Sequence, residues 1–238
     1  MVVFEAAERS RTAFFAACFR SSWINACATG SSLREGEKAC QTGEEGLATE
    51  CPVRLELAAM IRTFQGITPT IPDSCFVEDT GIVIGDVVMG EDCSVWFHAV
   101  IRGDVNYIRI GRRTNVQDLC MLHVTHDTHP LIIGEEVTIG HSVVLHGCTV
   151  KDRVLVGMGS IIMDGAVIGE NSVVGAGSLV TEGTIVPPRS VVLGSPAKVK
   201  RPVSDQELAW IKQSASNYIR YASQYVSGSS KARTGFHV

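Results

Sequence analysis

Residues 150–192 read VKDRVLVGMGSIIMDGAVIGENSVVGAGSLVTEGTIVPPRSVV, and an aliphatic residue occupies every sixth position of this stretch. A helix repeats its faces about every 3.6 residues and an ordinary strand every second residue, so neither produces a period of six. Hexapeptide repeats of a parallel β-helix do produce it. The aliphatic positions are Val150, Val156, Ile162, Ile168, Val174, Val180, Val186 and Val192.

Three shorter series with the same period precede this stretch. They are Val77, Val83, Met89, Val95 and Ile101; then Ile110, Val116 and Leu122; then Ile133, Ile139 and Leu145. Each unit supplies one short strand and a turn, and three units close a triangular coil, so we expect about six coils. Stacked coils bury a continuous aliphatic column that one coil could not bury alone. The predicted fold class is all-β, a parallel β-helix over residues 60–202, whose hand the period does not fix.

The C-terminal segment changes period. Ser204 and Glu207 have the spacing of a capping box. Apolar residues then follow at intervals of three and four, which is typical of an amphipathic helix; they are Leu208, Ile211, Ala215, Tyr218, Ala222 and Tyr225. We therefore expect a helix over residues 203–226 that packs along the solenoid, and a loose tail over residues 227–238.

Residues 1–59 show no sustained period, and two interpretations of them stay open. The first is a disordered extension, or one foreign to a natural chain that begins at Met60. The second is a targeting peptide, because residues 13–19 are apolar. Glu5 and Glu8, however, stand where a signal peptide carries positive charge, and Arg20 ends the apolar run.

Composition excludes several classes of protein. The chain has 238 residues and a formal net charge of −4, which argues against a nucleic-acid partner. It contains no run of about 18 apolar residues, so we expect no membrane span. The eight cysteines form no C-x-x-C pair, which favours free thiols in a reducing, cytoplasmic setting.

Histidines cluster between positions 123 and 146. His123 and His146 each follow an aliphatic repeat position by one residue, and one coil separates them, so their imidazoles should stack on one face and could share a metal. His141 belongs to the preceding face. As a third ligand it would have to come from another subunit, as a trimer of triangular prisms allows. Three histidines with an open fourth position form a catalytic zinc arrangement.

A second group of polar residues consists of Arg102 and Asp104, followed by Gln117 and Asp118. Arg102 and Gln117 also follow an aliphatic position, so they could line the same strip as the histidines. The alternative is that these are turn residues and intersubunit salt bridges.

These motifs together resemble the gamma-class carbonic anhydrases over about residues 61–226. The resemblance rests on Ile101-Arg102-Gly103-Asp104, on Asn115, Gln117, Asp118, Leu122 and His123, on Ile139-Gly140-His141 with His146-Gly147-Cys148, and on Gly194-Ser195-Pro196-Ala197-Lys198. It implies a left-handed β-helix that forms a homotrimer, with metal sites between subunits. His123 and His146 would bind the metal from one subunit and His141 from its neighbour. The metal would be Zn²⁺, or else Fe²⁺ or Co²⁺, and the substrate CO2, with bicarbonate as product.

The resemblance also implies roles for other residues. Arg102 and Asp104 would pair at the interface with the arginine near bicarbonate, Gln117 would orient the hydroxide at the metal, and Asp118 would support the site. Tyr218 resembles a family tyrosine near the active site. One feature departs from the family: Val105-Asn106-Tyr107 replaces an acidic proton-moving loop, and the insertion after His123 offers His126 and Asp127 instead.

Three functions therefore stay open. The first is a metal-dependent carbonic anhydrase. The second is a non-catalytic assembly or regulatory protein that keeps the metal for trimer stability. The third is an acyltransferase, because hexapeptide repeats also build such enzymes.

Overall fold

A computed structural model describes residues 59–228 of the chain. The predictions for the N-terminal extension and for most of the C-terminal tail lie outside these residues. In the described part, short strands stack in parallel on three faces, as the period of six predicts. They form a left-handed β-helix, the hand that the resemblance implies, with about seven turns.

The first face carries the strands that later hold two of the predicted metal ligands. Each strand pairs in parallel with the strand of the next turn. The strands are β1 (Met60–Arg62), the first half of β3 (Ile82–Met89), the first half of β5 (Val100–Ile110), β7 (Met121–His123), β10 (Val144–His146), β13 (Ile161–Ile162) and β16 (Leu179–Val180). The sequence predicts about six turns because the repeat series begins at Val77, whereas the solvent-exposed β1 already adds a turn before it.

The second face ends in the only antiparallel strand pair of the named strands. Its strands are β2 (Phe76–Val77), β4 (Ser94–Val95), β6 (Asn115–Val116), β9 (Thr138–Ile139), β12 (Leu155–Val156), β15 (Val173–Val174) and β18 (Ser190–Gly194). After β18 the chain reverses into β19 (Ala197–Pro202), which pairs antiparallel with it.

The third face shares two long strands with the first, because β3 and β5 run around the corner between them. The second halves of β3 and β5 are followed by β8 (Leu131–Ile133), β11 (Thr149–Val150), β14 (Val167–Ile168) and β17 (Ile185–Val186). Close stacking leaves no room at some corners. A Cβ added at Gly111 would lie 2.5 Å from the backbone carbonyl carbon of Gly134, so this corner requires glycine.

The predicted aliphatic positions form the core. Every one of them is buried except Val77, at the N-terminal end of the series, which is half-buried. Cysteines fill further interior positions: Cys93, Cys120 and Cys148 are buried and Cys75 is half-buried, and all four are free thiols, as expected. Burial raises the pKa of the Cys120 thiol to about 11.

The C-terminal helix α1 (Asp205–Gly228) begins one residue after its predicted cap. The Ser204 N–H donates to the Glu207 carboxylate at 2.9 Å, and the Glu207 N–H donates to the Ser204 hydroxyl at 3.3 Å, so the capping box is confirmed. Arg201 adds two contacts to Glu207, at 2.7 and 2.8 Å. Within residues 59–228 no helix combines the length and apolar character needed to cross a membrane.

Aromatic side chains attach α1 to the second face. Trp96 is 6% exposed and packs against Phe76, Tyr218 and Tyr225, with ring centroids 5.2 to 5.5 Å away. The indole N–H of Trp96 donates to the Ser94 hydroxyl at 2.9 Å, so the polar atom of this buried ring is satisfied. The helix therefore lies along the solenoid, as its apolar face predicts.

Candidate metal centre

Two histidines of the first face stand directly opposite one another on consecutive turns. His123 ends β7 and His146 ends β10, and the parallel register pairs them. The Nδ1 atom of His123 lies 3.1 Å from the Nε2 atom of His146. The stacking that the repeat register predicts is thus confirmed.

A carboxylate holds the other ring nitrogen of each histidine. Asp104 Oδ1 lies 3.1 Å from Nε2 of His123, and Asp164 Oδ1 lies 2.5 Å from Nδ1 of His146. Such contacts fix the orientation of an imidazole that binds a metal through its second nitrogen. No repeat position or motif in the sequence marks Asp164 as a site residue.

Asp104 is shared between a histidine and an arginine. Arg102 donates from Nη1 to Asp104 Oδ2 at 2.5 Å within the same chain. Partial burial raises the pKa of Asp104, but the hydrogen bonds from Arg102 and His123 outweigh that effect and lower it overall. Burial lowers the pKa of His123, which favours the neutral form that binds metals. Arg102 lies on the first face in the same column as His123, as expected.

His141 lies on the other side of the solenoid corner. It follows β9 on the second face, and its Nδ1 is 2.9 Å from Asp118 Oδ2. The other oxygen of Asp118 accepts the N–H of Phe97 at 3.1 Å, so the carboxylate is fixed by the turn before it. Asp118 thus orients His141 in the same way that Asp104 and Asp164 orient the first pair.

Gln117 is buried on the second face, next to Asp118, and not on the strip of Arg102 and His123. Gln117 and Arg102 occupy equivalent repeat positions but lie on different faces. The expectation that Gln117 shares one strip with Arg102 and His123 is therefore wrong.

Gln117 begins a directed path of hydrogen bonds. Its Nε2 donates to Asn115 Oδ1 at 3.1 Å, Asn115 Nδ2 donates to Thr138 Oγ1 at 3.0 Å, and Thr138 Oγ1 donates to Ser214 of α1 at 3.0 Å.

Tyr218 reaches the same face from α1. Its ring packs on Trp96 and Tyr221, with centroids 5.5 and 5.6 Å apart. Burial, with a further contribution from the negative charge of Asp118, raises the pKa of Tyr218 to about 12. The phenol therefore stays protonated at neutral pH and can donate a hydrogen bond beside Asp118.

The insertion after His123 forms a small closed loop, residues 124–130, in which Thr125 and His129 are bridged. His126 and Asp127 pair at 2.8 Å at its tip, where their side chains are 72% and 80% exposed. The loop touches the site through Thr125, whose hydroxyl donates to Asp164 Oδ2 at 2.6 Å.

The spacing of His123 and His146 fits two ligands of one metal ion. Two ligands on a tetrahedral zinc ion stand about 3.3 Å apart, given zinc–nitrogen bonds of about 2.0 Å. The 3.1 Å between the facing nitrogens of His123 and His146 suits this separation. No group of three metal-binding side chains gathers within the described part of this single chain. His141 lies on the second face and therefore does not join the pair of His123 and His146 within one chain.

A family model described as "Bacterial transferase hexapeptide (six repeats)" matches residues 147–182. "Protein YrdA" of Escherichia coli is 49% identical over 176 residues, which are 71% of this chain and 96% of that protein. "Carbonic anhydrase" of Geobacillus kaustophilus is 45% identical over 166 residues, 70% of this chain and 91% of that protein.

Two further matches extend this comparison. "Gamma carbonic anhydrase 1, mitochondrial" of Arabidopsis thaliana is 43% identical over 168 residues, 68% of this chain and 61% of that protein. A solved "hexapeptide transferase family protein" from Anaplasma phagocytophilum superposes with a TM-score of 0.67 at 40% identity, covering 70% of this chain and 98% of that one. Because the Arabidopsis relative is named as mitochondrial, the cytoplasmic location expected from the cysteines stays a prediction.

Proposed function

The chain belongs to the gamma-class carbonic anhydrase family, and on that premise we propose that it hydrates CO2 to bicarbonate and a proton. The reaction would take place at a metal held between subunits of a homotrimer. His123 and His146 of one copy and His141 of a neighbouring copy would hold it. The observation that carries this proposal is the facing pair His123 and His146, each with its second ring nitrogen on a carboxylate.

The metal, Zn²⁺ or else Fe²⁺ or Co²⁺, would supply a Lewis acid that makes water a nucleophile at neutral pH. The protein side chains would do the rest of the work. Asp104, Asp164 and Asp118 each contact one of the three imidazoles and would keep it oriented when the ligands from two chains meet.

Gln117 and Arg102 would act on the reactants. Because Gln117 donates its amide nitrogen to Asn115, its carbonyl oxygen is left to accept the proton of the attacking hydroxyl group and to fix its direction. Arg102 uses one terminal nitrogen on Asp104 and keeps other N–H donors, with a side chain 39% exposed. Those donors suit the carboxylate group of bicarbonate.

Tyr218 and the loop of residues 124–130 would act at the periphery of the site. The protonated phenol of Tyr218 can donate to an oxygen near Asp118. The proton released by the reaction must reach solvent, and the exposed pair His126 and Asp127 offers acceptors where the acidic loop of the family is missing. This role of the pair rests on its exposure.

The test is stopped-flow CO2 hydration by the full chain, loaded with Zn²⁺ or Fe²⁺ and then stripped by a chelator. We expect metal-dependent hydration and bound metal in the wild type, and loss of both in His146→Ala. His98→Asn is the matched control, because His98 is exposed at a corner with a φ of +57° that asparagine tolerates. If His146→Ala kept stoichiometric metal, the assigned site would be refuted.

A second candidate function is a catalytically weak or inactive assembly or regulatory protein. It is favoured by the residues after Asp104, because residues 105–107 contain no carboxylate and Asn106 instead donates to the backbone carbonyl of Thr125 at 3.0 Å. A metal-bound trimer without hydration activity in any metal state would support it. The transferase name of the solved neighbour keeps an acyltransferase as a third candidate, which binding of acetyl-CoA would support.

A further inference from the structure

Asp164 lies at a corner of the first face, two residues after β13, and both of its carboxylate oxygens are used. Oδ1 faces His146 Nδ1 at 2.5 Å, and Oδ2 accepts the Thr125 hydroxyl at 2.6 Å. The backbone of the same corner is fixed as well, since the Gly165 N–H donates to the Gly147 carbonyl at 2.8 Å. A carboxylate held at both oxygens cannot turn away from the imidazole.

We propose that Asp164 is a positioning residue that sets the ring orientation and the tautomer of His146 for metal binding, and that Thr125 locks Asp164 in place. The inference rests on the proposed function. With Nδ1 donating its proton to Asp164, the lone pair of His146 stands on Nε2, which is the nitrogen that faces His123. A neutral imidazole without this partner could carry its proton on Nε2 and would then offer no lone pair there.

The insertion after His123 would therefore hold Thr125 in position against Asp164. Thr125 receives the side-chain amide of Asn106 on its carbonyl at 3.0 Å, and its N–H donates to the His129 carbonyl at 3.0 Å. The loop is thus tied both to β5 and to itself, and it delivers one hydroxyl to Asp164. It supports the ligand on the next turn.

Glu182 provides the internal comparison. It occupies the position of Asp164 one turn further along, because Ile162 pairs with Val180. The Glu182 side chain is exposed, and within residues 59–228 it makes no hydrogen bond or ion pair. The turn therefore forms there without any hydrogen bond or ion pair to the carboxylate, so the contacts of Asp164 are not required for the turn itself.

The experiment measures the affinity of the full-length protein for Zn²⁺ by competition with a chromogenic chelator. Asp164→Asn should weaken binding by about 10- to 100-fold, the range found for partners of metal-binding histidines. Thr125→Val should weaken it by less, Thr125→Ser should match the wild type, and Glu182→Gln should change nothing. The visible spectrum of bound Co²⁺ should change in Asp164→Asn, because a reoriented imidazole alters the ligand field.

Unfolding of the metal-free variants separates positioning from a structural role. We expect Thr125→Val and Glu182→Gln to unfold as the wild type does without metal, so that their difference appears only in affinity. Wild-type affinity in both Asp164→Asn and Thr125→Val would overturn the inference while leaving the metal site standing. If the wild type bound no Zn²⁺ and His146→Ala changed nothing, the metal site and this inference would fail together.

Discussion

Trp96 meets Tyr225 of α1 edge to face, with ring centroids 5.3 Å apart and planes at 89°. Trp96 stands one turn before Gln117 in the same column of the second face, since β4 and β6 pair in register. The aromatic contact that anchors the helix is therefore a neighbour of a proposed active-site residue. We therefore expect the packing of α1 to affect the position of Gln117.

Replacing Trp96 by alanine should detach the helix from the second face. Truncating a buried tryptophan costs about 3–5 kcal/mol of unfolding free energy. Trp210→Ala is the control, because Trp210 is 58% exposed on the same helix and should change stability by about 0.5 kcal/mol or less. Denaturant unfolding followed by circular dichroism measures both variants, and equal losses would contradict the anchoring role.

The hydrogen-bond path from Gln117 to Ser214 should affect the rate of CO2 hydration and not metal binding. Thr138→Val keeps the shape of a buried strand residue but removes the hydroxyl that joins Asn115 to α1. One such bond contributes about 0.5–1.5 kcal/mol, so kcat/KM should fall by about 2- to 10-fold. Thr181→Val, at an exposed corner, should leave the rate unchanged. An unchanged rate in Thr138→Val would show that the path does not orient Gln117.

The cap of α1 should give a pH-dependent stability. The hydrogen bonds from Arg201 and from Ser204 lower the pKa of Glu207 to about 2, whereas an unfolded glutamate titrates near about 4.3. Because the pKa is lower in the folded state, the ionised carboxylate stabilises the folded protein at pH values above the unfolded pKa. This contribution is lost as the pH falls towards 2. Glu207→Gln should therefore have a lower melting temperature than the wild type at pH 7. The difference between the two melting temperatures should disappear between about pH 5 and pH 2. Glu182→Gln, at an exposed position, should melt at the same temperature as the wild type. If the difference for Glu207→Gln did not depend on pH, the negative charge of Glu207 would not be the cause of the stabilisation.

Gly111 should tolerate no side chain. A Cβ there would lie 2.5 to 2.7 Å from backbone atoms of Gly134 and Glu135 on the next turn, so Gly111→Ala must push two turns apart. We expect a loss of about 1–3 kcal/mol or more. Gly177→Asn is the control, since Gly177 has open space and a φ of +66°, and Asn171 already occupies such a corner at +57°. Equal thermal stability of the two variants would contradict the close stacking.

The period of six made the stacking of His123 and His146 predictable, because each follows its aliphatic residue by one position. Asp164 was not predictable in the same way, since an aspartate before a glycine is also common in ordinary turns. The path from Gln117 to Ser214 depends on how α1 docks, and no local pattern encodes a contact 76 residues apart. The first turn is not part of the predicted six because β1 is exposed and does not carry the buried aliphatic residue that marks the other repeats.

Residues inserted at a corner of the solenoid do not change the distance between side chains on neighbouring turns. His123 and His146 are 23 residues apart, while equivalent positions in later turns, such as Ser160 and Ser178, are 18 apart. The extra residues form a loop outside the stacked strands, and the two histidines stay one strand spacing apart. Only residues 126–128 lie between the bonded Thr125 and His129. We therefore expect the length or charge of this tip to be changeable without moving either ligand, as long as the contact between Thr125 and His129 is kept.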